Sequence, residues 1–464
     1  MSDIITIRKG LDIPISGTAE LRLTDARSIT TYAVKPTDFV GLTPRLMVEE
    51  GDTVNIGDAL FVDKHDERIR FTSPVCGHVK AIVRGEKRKL LEVVVEADCK
   101  SSPTIQTDDE IKTAMLQCGL WTMLRQRPFG TIANPDDKPK AIFVSAFDSA
   151  PLAPDYDFAL QGKETFFAKG IEALSTLTDG KVHICFRPNQ KLAEQLTSSN
   201  TSQFSIPNSQ FSIHFIKGPH PAGNIGTQIA HIDPINKGEV VWTMNAQDVA
   251  VLGELVMTGI YRPEKVIAVA GPNIKNPHYY RIKAGACISE VVKGQLLNND
   301  YPKMDANDAA KANRIISGDI LSGTQIAVDG FIGAYDDLVS ILPEGDYYDF
   351  MGWLMPGFRK FSFSRTFFSG FMPKMLNWKF DTNTHGDVRP LVFTGNFERV
   401  FPFDIYPTQL IKACIVGDID LMENLGIYEV EPEDFALCEF IDTSKTDIQA
   451  IIREALEKLR KEAK

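Results

Sequence analysis

A regular alternation of short apolar runs and Gly-Asp turns marks the first hundred residues of the chain. The stretch EEGDTVNIGDALF (49–61) contains two Gly-Asp pairs, which tolerate the positive φ of tight turns, and it places Val54, Ile56 and Leu60 on one side. The stretch SPVCGHV (73–79) adds another corner of the same kind. Alternation bounded by such turns predicts short strands, so we expect an all-β unit here.

Beyond this unit, apolar patterns switch between the periods of strands and helices. KAIFVSAF (140–147) is a continuous apolar run of the kind that forms a buried parallel strand. KETFFAKGIEALSTLTDG (163–180) predicts a helix that ends at Gly180, and AQDVAVLGELVMTGI (246–260) predicts another with Asn245 as its N-cap. A strand pattern follows each helix directly, which predicts a doubly wound, Rossmann-like α/β domain.

The last part of the chain predicts a smaller mixed module followed by helices. Short strands punctuated by Gly surround one helix from Gly271 to about residue 346, which indicates a small α+β module. A helix is expected from Thr408 to Gly426. The final pattern, TDIQAIIREALEKLRKEAK, predicts an amphipathic helix whose apolar face carries Ile448, Ile451, Ile452, Ala455 and Leu459.

The stretch Phe350–Phe380 departs from the rest of this acidic chain, whose formal net charge is −11. Its 31 residues include five basic residues, ten aromatics and four Met, and contain no Asp or Glu. KFSFSRTFF (360–368) alternates and predicts a strand, and PKMLNWKF (373–380) predicts a helix that begins at Pro373. One interpretation is that most of these aromatics pack inside and join the neighbouring modules, because large exposed apolar patches are uncommon on monomers.

Basic side chains interleaved with Trp, Phe and Met suit a surface that faces anionic lipid headgroups or a membrane partner. We therefore predict a docking surface within this stretch. Its residues are Trp353, Arg359, Lys360, Arg365, Phe368, Lys374, Trp378 and Lys379.

Bulk composition limits the classes of function. The acidic balance disfavours general nucleic-acid binding, which needs clustered Lys and Arg. Seven Cys without a C-x-x-C pair predict reduced thiols in a cytosolic setting. The N-terminus MSDIITIRKG lacks the apolar core of a signal peptide, and the chain has no run of about 18 uncharged apolar residues. We expect a cytoplasmic globular protein of several domains.

Catalytic and metal-binding motifs are scarce. The sequence contains no Walker loop, no H-E-x-x-H and no nucleophile elbow. His214, His220 and His231 fall within 18 residues of one another. Their Pro/Gly-rich surroundings predict solvated loop histidines rather than a zinc site, which needs rigid ligands at fixed spacing. We expect no catalytic residue and no metal in this chain.

The β unit from residue 30 to 98 resembles the barrel-sandwich domains that carry biotin or lipoyl groups. Such carriers hold a modified Lys at a hairpin tip, and VDKHDER offers Lys64. Lys64 lies ten residues before Pro74, two more than in the lipoyl pattern, and the biotin sequence Ala-Met-Lys-Met is missing. An unmodified scaffold hairpin is the favoured interpretation, and a barrel-sandwich carrier or adaptor protein is one alternative.

A broader family resemblance rests on longer motifs. HPAGNIGTQIAHIDP (220–234) and the stretch from GEVVWTMNAQ to GACISEVV (238–292) are similar to the shared core of three proteins. These are the flavin subunit of respiratory complex I, the C subunit of the Rnf-type electron-transport complex and the A subunit of the sodium-translocating NADH:quinone oxidoreductase. RIISGDILSG, FIGAYDDLVSILPEGD, FMGWLMPGFRKFSFSRT and EPEDFALCEF resemble the last of these in particular. The resemblance covers the chain end to end.

The resemblance implies a multidomain α/β and α+β protein of five segments. They are a barrel-sandwich hybrid domain (1–104), a Rossmann-like α/β domain (105–264), a soluble-ligand-binding β-grasp module (265–346), an aromatic and basic connecting and docking segment (347–390), and a helical ferredoxin-like C-terminal domain that lacks clusters (391–464).

The place that matches the FMN site of the flavin-bearing relatives has an unsuitable composition. FMN there lies on a Gly-rich loop, because backbone N–H groups must approach its phosphate closely. The matching stretch, CGLWTMLRQRPFGTIANPDD, contains ten consecutive residues without a glycine, and Leu124, Gln126 and Phe129 occupy the cradle. Arg125 and Arg127 attract a phosphate, but the bulky neighbours keep the backbone away. We therefore expect no flavin in this chain.

Iron–sulfur binding is also disfavoured. The tail resembles the cluster-binding part of the Rnf protein, with TGNFERVFPFDIYPTQL where that protein has C-x-x-C-x-x-C-x-x-x-C-P. A [4Fe–4S] cluster needs four converging thiolates, and the stretch 390–445 holds only Cys414 and Cys438. We expect no redox cofactor in this chain.

The resemblance implies a peripheral cytoplasmic subunit of a respiratory sodium pump that couples NADH oxidation and quinone reduction to sodium export. NADH and the flavins would belong to other subunits. This subunit would attach to the inner face of the bacterial membrane through its membrane partner and contribute to quinone binding. The alternative is a self-contained electron-transfer subunit with FMN and NADH. Because a quinone ring needs aromatic and Met walls with hydrogen-bond donors, the predicted quinone residues are Trp353, Met355, Phe358, Phe361, His385 and Arg389.

Overall fold

The computed structural model describes residues 4–26, 29–98, 110–197, 210–297, 313–347, 351, 354–358, 360–371 and 377–462. The strands are β1 (Ile4–Thr6), β2 (Glu20–Asp25), β3 (Thr31–Val34), β4 (Pro44–Leu46), β5 (Thr53–Val54), β6 (Ala59–Asp63), β7 (Arg70–Thr72), β8 (Gly77–Arg84), β9 (Leu90–Ala97), β10 (Arg125–Arg127), β11 (Thr131–Ile132), β12 (Ala141–Ser145), β13 (Lys181–Phe186), β14 (Phe211–Lys217), β15 (Val241–Asn245), β16 (Glu264–Ala270), β17 (His278–Lys283), β18 (Asn313–Ser317), β19 (Thr324–Ile326) and β20 (Leu338–Pro343).

The α-helices in the same residues are α1 (Ile111–Cys118), α2 (Tyr156–Ala159), α3 (Glu164–Ser175), α4 (Lys191–Thr197), α5 (Ile225–Ile232), α6 (Ala246–Thr258), α7 (Ile288–Val291), α8 (Phe397–Val400), α9 (Pro407–Val416), α10 (Ile419–Asn424), α11 (Ala436–Ile441) and α12 (Ile448–Glu462). Short 3-10 turns span Pro36–Asp38, Glu86–Arg88, Leu120–Met123, Phe368–Phe371, Ile427–Glu429 and Pro432–Phe435.

Two small antiparallel sheets form the all-β unit that the Gly-Asp pattern predicts. One has the strand order β3-β9-β8-β5 and the other β4-β6-β7. Val54, Ile56 and Leu60 are all buried in its core. The rings of Phe61 and Phe71 stack there with centroids 4.6 Å apart. Strands β6 and β9 each bury three consecutive apolar residues, so both of their faces are covered.

A seven-stranded sheet forms the α/β domain, with the order β1-β14-β13-β12-β15-β10-β11. The strands from β1 to β15 in that order are parallel, and β10 and β11 are antiparallel. The run KAIFVSAF supplies the buried parallel strand β12, as predicted. Helices α3 and α6 share a core with Ile142 and Val144, whereas α5 packs with Ala141 and Phe143. Helices thus cover both faces of the sheet, which makes the domain doubly wound.

The two helices predicted in this domain are present, but one of them ends early. Asn245 caps α6, because its side-chain oxygen accepts a hydrogen bond from the backbone N–H of Gln247 at 2.8 Å. Helix α3 ends at Ser175 rather than at Gly180. The Thr178 hydroxyl donates to the carbonyl of Pro139 and accepts from the N–H of Gly180. This side-chain turn replaces the last predicted turn of helix.

A six-stranded mixed sheet has the order β19-β18-β20-β16-β17-β2. Its outer strand β2 comes from the N-terminal segment, which also supplies β1 to the α/β domain. Val269 and Val339 face the main core of the molecule, whereas Ala268 and Leu338 face the core of the C-terminal domain. The central strands of the sheet are therefore buried on both sides, between two other units, whereas its edge strands β2 and β19 are largely exposed.

The C-terminal domain is helical, as its pattern predicts, with an additional break. Helix α9 is followed by Gly417 at φ +76°, and Asp418 caps α10 by accepting a hydrogen bond from the N–H of Leu421 at 3.0 Å. The predicted helix from Thr408 to Gly426 is therefore two helices, because the left-handed cap at a glycine ends the first one. In the last helix, α12, the buried residues are Ile448, Ile452, Ala455, Leu456 and Leu459, and Ile451 is half-buried.

Candidate functional site

The strand order of the seven-stranded sheet reverses between β12 and β15, where doubly wound folds bind ligands outside the carboxyl ends of their strands. Protein groups occupy this crevice. Asn245, at the end of β15, donates from Nδ2 to Oδ2 of Asp337 at 2.7 Å. The hydroxyl of Tyr156 donates to the same oxygen at 3.0 Å. Because Asp337 directly precedes β20, the six-stranded sheet supplies the group that fills the crevice.

A buried charge network continues from Asp337. The Nζ of Lys265 donates to the carbonyl of Ala334 at 2.7 Å and lies 3.5 Å from Asp248 and 3.7 Å from Asp337. Burial opposes the charge of Lys265, but the two carboxylates prevail and raise its pKa. Burial raises the pKa of Asp248 to about 6. The network therefore joins two sheets with paired charges at the place where related folds bind ligands.

The stretch that matches an FMN cradle is also in contact with protein. Leu124 is fully buried, and the ring of Phe129 meets that of Tyr428 edge-on at 6.0 Å. Arg125 and Arg127, which we expected to be available to a phosphate, instead pair with carboxylates of the C-terminal domain. These carboxylates belong to Glu431, Glu433 and Asp434.

Of the three histidines only His220 lies in a turn, and it is buried, so the prediction of solvated loop histidines is wrong. His214 lies on β14, and its Nε2 is 2.9 Å from Nδ1 of His183 on β13. His220 is buried, with Nδ1 3.1 Å from the hydroxyl of Ser149. His231 lies on α5. Regular elements run through a stretch whose Pro and Gly indicated a loop. In the part of the chain with assigned positions, no cluster of three or more His, Cys, Asp or Glu could hold a metal ion.

The cysteines differ from expectation at one position. Cys76 is disulfide-bonded, so the prediction of a reduced thiol is wrong there. The thiols of the helical tail are free. Burial raises the pKa of Cys414 to about 12 and that of Cys438 far above its ordinary value. Both tail cysteines are therefore neutral thiols at physiological pH.

The strand predicted over 360–368 is wrong. These residues form bends and turns, Arg365 has φ +56°, and a 3-10 turn spans Phe368–Phe371. The hydroxyl of Ser362 accepts a hydrogen bond from the backbone N–H of Thr366 at 3.0 Å. This local bond folds the chain into a turn despite the alternation of Phe and Ser.

Part of the aromatic stretch packs inside. The ring centroid of Phe361 is 5.7 Å from that of Phe380 and 5.9 Å from that of Phe440 on α11. The backbone N–H of Trp378 donates to the carbonyl of Pro14 at 2.8 Å. These contacts join the stretch to the C-terminal domain and to the N-terminal segment.

The other part is exposed. Of the 21 exposed large apolar side chains among the residues described, nine lie between 351 and 393. The ring of Phe368 is 5.4 Å from Phe358 and 6.0 Å from Phe371, and these three rings are 60%, 56% and 78% exposed. We name the nine residues the exposed apolar surface: Met351, Leu354, Met355, Phe358, Phe368, Phe371, Val388, Val392 and Phe393.

Six members of this surface were absent from the residues predicted for docking or quinone binding: Met351, Leu354, Phe371, Val388, Val392 and Phe393. Phe371 stands in the quoted aromatic run, so composition was an available signal for it. Val388, Val392 and Phe393 follow the run in an ordinary-looking stretch, and their exposure has no sequence signal.

Three of the predicted basic docking residues can be located. Lys360 is half-buried, with Nζ 5.5 Å from the ring centroid of Phe367, whereas Arg365 and Lys379 are exposed. Trp353, Arg359, Lys374 and the start of the helix expected at Pro373 lie outside the described residues. The described end of that helix, 377–380, is not helical, so the prediction is wrong there: Trp378 forms a β-bridge with Ile15.

The predicted quinone residues have different surroundings. Met355 and Phe358 belong to the exposed apolar surface, whereas Phe361 packs against the C-terminal domain. His385 and Arg389 are exposed in the connection that follows, and the backbone N–H of Arg389 donates to the carbonyl of Ser444 at 2.7 Å. The sequence predicted that these residues form one quinone-binding wall. The fold instead places some of them on the surface and packs Phe361 inside.

Two cavities lie elsewhere in the molecule. An open groove of about 530 Å³ beside the edge strand β2 is lined by Arg22, His278 and Lys293 together with other polar residues. A cavity of about 60 Å³ lies where the β unit meets the other sheets, beside Lys35 and Phe39. Within the ranges that the structure describes, no helix is long and apolar enough to cross a membrane.

Comparison with protein families gives three matches along the chain. Residues 5–98 match the NqrA N-terminal barrel-sandwich hybrid domain, residues 106–261 match the NqrA second alpha/beta domain, and residues 266–327 match the NQRA C-terminal domain. The N-terminal match confirms the predicted barrel-sandwich domain, and the second confirms an α/β domain.

Curated proteins match over nearly the whole chain. A protein of Yersinia pseudotuberculosis is 36% identical over 470 residues, which cover 99% of this chain and 100% of that protein. A protein of Rhodopirellula baltica is 36% identical over 472 residues, covering 99% and 98%. A protein of Histophilus somni is 37% identical over 470 residues, covering 99% and 100%. Each is named as the A subunit of the Na(+)-translocating NADH-quinone reductase.

Proposed function

The chain belongs to the NqrA family, the A subunits of the Na(+)-translocating NADH-quinone reductase, and from this membership we propose that it is a peripheral subunit of such a complex. The complex would couple NADH oxidation and quinone reduction to sodium export. This subunit would attach to the cytoplasmic face of the bacterial membrane through the membrane subunits. It would support their assembly and contribute to quinone binding.

The exposed apolar surface is the observation that carries the docking role. Leaving a Phe-sized side chain in water forfeits about 1.5–3 kcal/mol relative to burying it, so a partner that covers this surface gains stability. The exposed cations Arg365 and Lys379 lie in the same stretch and suit an anionic membrane face. We propose that Trp353, Arg359, Lys360, Lys374 and Trp378 complete the docking residues.

Assembly with the membrane subunits tests this surface. We expect Phe368→Ser with Phe371→Ser to reduce co-purification of the membrane subunits at least about 10-fold, which corresponds to about 1.4 kcal/mol of binding energy. Charge reversal of Lys360, Arg365 and Lys379 should act in the same direction.

The matched control replaces exposed apolar residues outside the surface. Val256 and Met257 are 38% and 48% exposed on α6, and their replacement by Ser should leave assembly unchanged. Circular dichroism of each purified variant monitors folding. Normal assembly of the folded Phe368/Phe371 variant and of the charge-reversed variant would contradict the proposed docking surface.

Quinone binding is proposed at the junction with the membrane partner. Met355 and Phe358 are exposed, so they would form only one side of a quinone wall, and the partner would supply the other. Trp353, Phe361, His385 and Arg389 are proposed as further contributors. Titration with a quinone analogue should show saturable binding to the assembled complex that weakens when Met355 and Phe358 are replaced.

We propose that this subunit has no redox cofactor of its own. Two observations support this proposal. Asp337 occupies the crevice of the α/β sheet, and Arg125 and Arg127 pair with carboxylates of the protein itself. The purified protein should therefore show neither flavin absorption nor iron. Stoichiometric flavin in the purified chain would favour a self-contained electron-transfer subunit instead.

The finer domain assignment is likewise a proposal. The Gly-rich strands of 265–346 are consistent with a β-grasp module, and the short helices of 391–464 with a ferredoxin-like scaffold. The barrel-sandwich domain would span 1–104 and the Rossmann-like domain 105–264, with 347–390 as the connecting and docking segment. Limited proteolysis should cut first near the borders between these segments.

A further inference from the structure

Two arginines of the α/β domain, the half-buried Arg125 and the buried Arg127, face an acidic turn of the C-terminal domain. The turn comprises Glu431, Glu433 and Asp434, and we name it the acidic turn. The Nη2 of Arg125 lies 3.0 Å from Oε2 of Glu431, and Nη1 of Arg127 lies 3.2 Å from Oδ2 of Asp434. The side chains of Arg127, Glu431 and Asp434 are only 3%, 2% and 0% exposed.

The surroundings of these carboxylates have the features of an anion site. Asp434 lies against Gly226 in the first turn of α5, where a Cβ would collide with its carboxylate. A Cβ at Gly130 would lie 2.7 Å from Oε2 of Glu431. Glycine at such positions lets an anion approach the backbone, and the N–H groups of a helix start attract negative charge.

Two oxygens in the site, Oε1 of Glu431 and Oδ1 of Asp434, lack a hydrogen-bond partner among the residues described. The Oδ1 of Asp434 is buried next to Gly226 and makes no hydrogen bond to any residue described. An unpaired buried carboxylate oxygen costs free energy, so it is not what packing alone would select. Its position at the start of α5 is the position that an oxygen of a bound anion would take.

The arginines match this interpretation. Guanidinium groups bind carboxylate and phosphate with the same planar fork. The pairs connect residues more than 300 positions apart, so they are made only when the C-terminal domain is docked. Both arginines lie on β10.

We propose that this place is an anion site for ligands of the phosphate class, and that the acidic turn is its built-in ligand. The arginines bind the acidic turn as they would bind a phosphate, and this contact holds the C-terminal domain on the α/β domain. This inference does not depend on the proposed role in a sodium pump. It implies that an external phosphate occupies the site when the side chain of Glu431 is removed.

Rescue by inorganic phosphate tests the proposal in the full-length chain. Glu431→Ala opens the site and leaves Arg125 and Arg127 without one of their carboxylates. Glu431→Gln removes the charge but keeps the space filled. The melting temperature of each is measured in phosphate and in chloride at equal pH and ionic strength.

Phosphate should raise the melting temperature of E431A by about 2–4 °C more than that of the wild type, as expected for a ligand that binds only the native state. E431Q should show no such extra increase. Adding Arg127→Gln to E431A should abolish the extra increase. Calorimetric titration should show saturable phosphate binding to E431A at least about 10-fold tighter than to the wild type.

Equal responses of E431A and the wild type to phosphate would overturn the proposal, and so would a response that survives loss of Arg127. If E431A fails to fold in chloride, its yield of folded protein in phosphate becomes the measurement, and no recovery counts against the proposal. Glu433→Ala is the second variant, because the Glu433 side chain is 28% exposed and better tolerates truncation. It should show a smaller rescue in the same direction.

Discussion

Trp121 and Trp242 form an edge-on pair in the core, with ring centroids 5.4 Å apart and an interplanar angle of 83°. Both are 1% exposed. The Nε1–H of Trp121 donates to the carbonyl of Ala133 at 2.8 Å, whereas Nε1 of Trp242 has no hydrogen-bond partner within the described ranges. Replacing either residue by Phe removes the same volume, so the comparison isolates one hydrogen bond.

The two substitutions should differ strongly in the free energy of unfolding. Trp121→Phe leaves the buried carbonyl of Ala133 unpaired, which costs about 1–3 kcal/mol. Trp242→Phe removes a buried donor that is already unpaired, so a similar penalty of about 1–3 kcal/mol is relieved. The loss of packing is comparable at the two sites and largely cancels in the difference. We expect W121F to be less stable than W242F by about 2–6 kcal/mol.

Urea unfolding followed by far-ultraviolet circular dichroism measures this difference without relying on tryptophan emission. The double variant serves as a control, because an aromatic pair of this geometry couples by only about 0.5–1.5 kcal/mol. Equal stability of the two single variants, or a W242F protein that is less stable than W121F, would refute the reasoning from the hydrogen bond.

Three further predictions concern the cap, the buried acids and the aromatic stretch. Asn245→Ala should lower the free energy of unfolding by about 1–3 kcal/mol in urea, whereas Asn224→Ala should cost less, because Asn224 makes no side-chain cap bond. Burial raises the pKa of Asp336 to about 6, so the native state holds this proton more tightly and stability is lost as pH rises from about 4 to about 6. Asp336→Asn should flatten that part of the stability–pH profile, and an unchanged slope would contradict this. Phe361→Ala should lower stability, measured by calorimetry, by about 1.5–3 kcal/mol, because this ring packs against Phe440. Phe371→Ala should change stability by less than about 0.5 kcal/mol, because that ring is 78% exposed. Equal effects of the two substitutions would contradict the assignment of Phe361 to the core.

Sequence patterns predicted the elements whose cause is local. The Gly-Asp turns produced the β unit, the KAIFVSAF run produced β12, and Asn245 caps α6. Predictions failed where a nearby side chain competed with the pattern, as Thr178 does at the end of α3 and Ser362 does in the supposed strand. These hydrogen bonds join residues that are close in sequence, so they form without any long-range contact and override a weak preference for helix or strand.

The candidate site was predictable only in part. Composition was enough to recognise an aromatic and basic stretch. It did not indicate that Phe358 would be exposed while Phe361 would be partly buried. Both are Phe residues in the same run, and their surroundings differ because Phe440 lies far along the chain. Likewise, Arg125 and Arg127 resembled free phosphate ligands until the fold supplied their carboxylates.

The order of strands, helices and turns and the family membership of this chain follow from the sequence alone, because backbone preferences and apolar periodicity act over a few residues. The tertiary structure decided which strands β1 and β2 join, which aromatics remain in contact with water and which anion the two arginines hold. Those outcomes depend on groups that lie as many as 307 positions apart in the sequence, and short-range patterns contain no information about such distant partners.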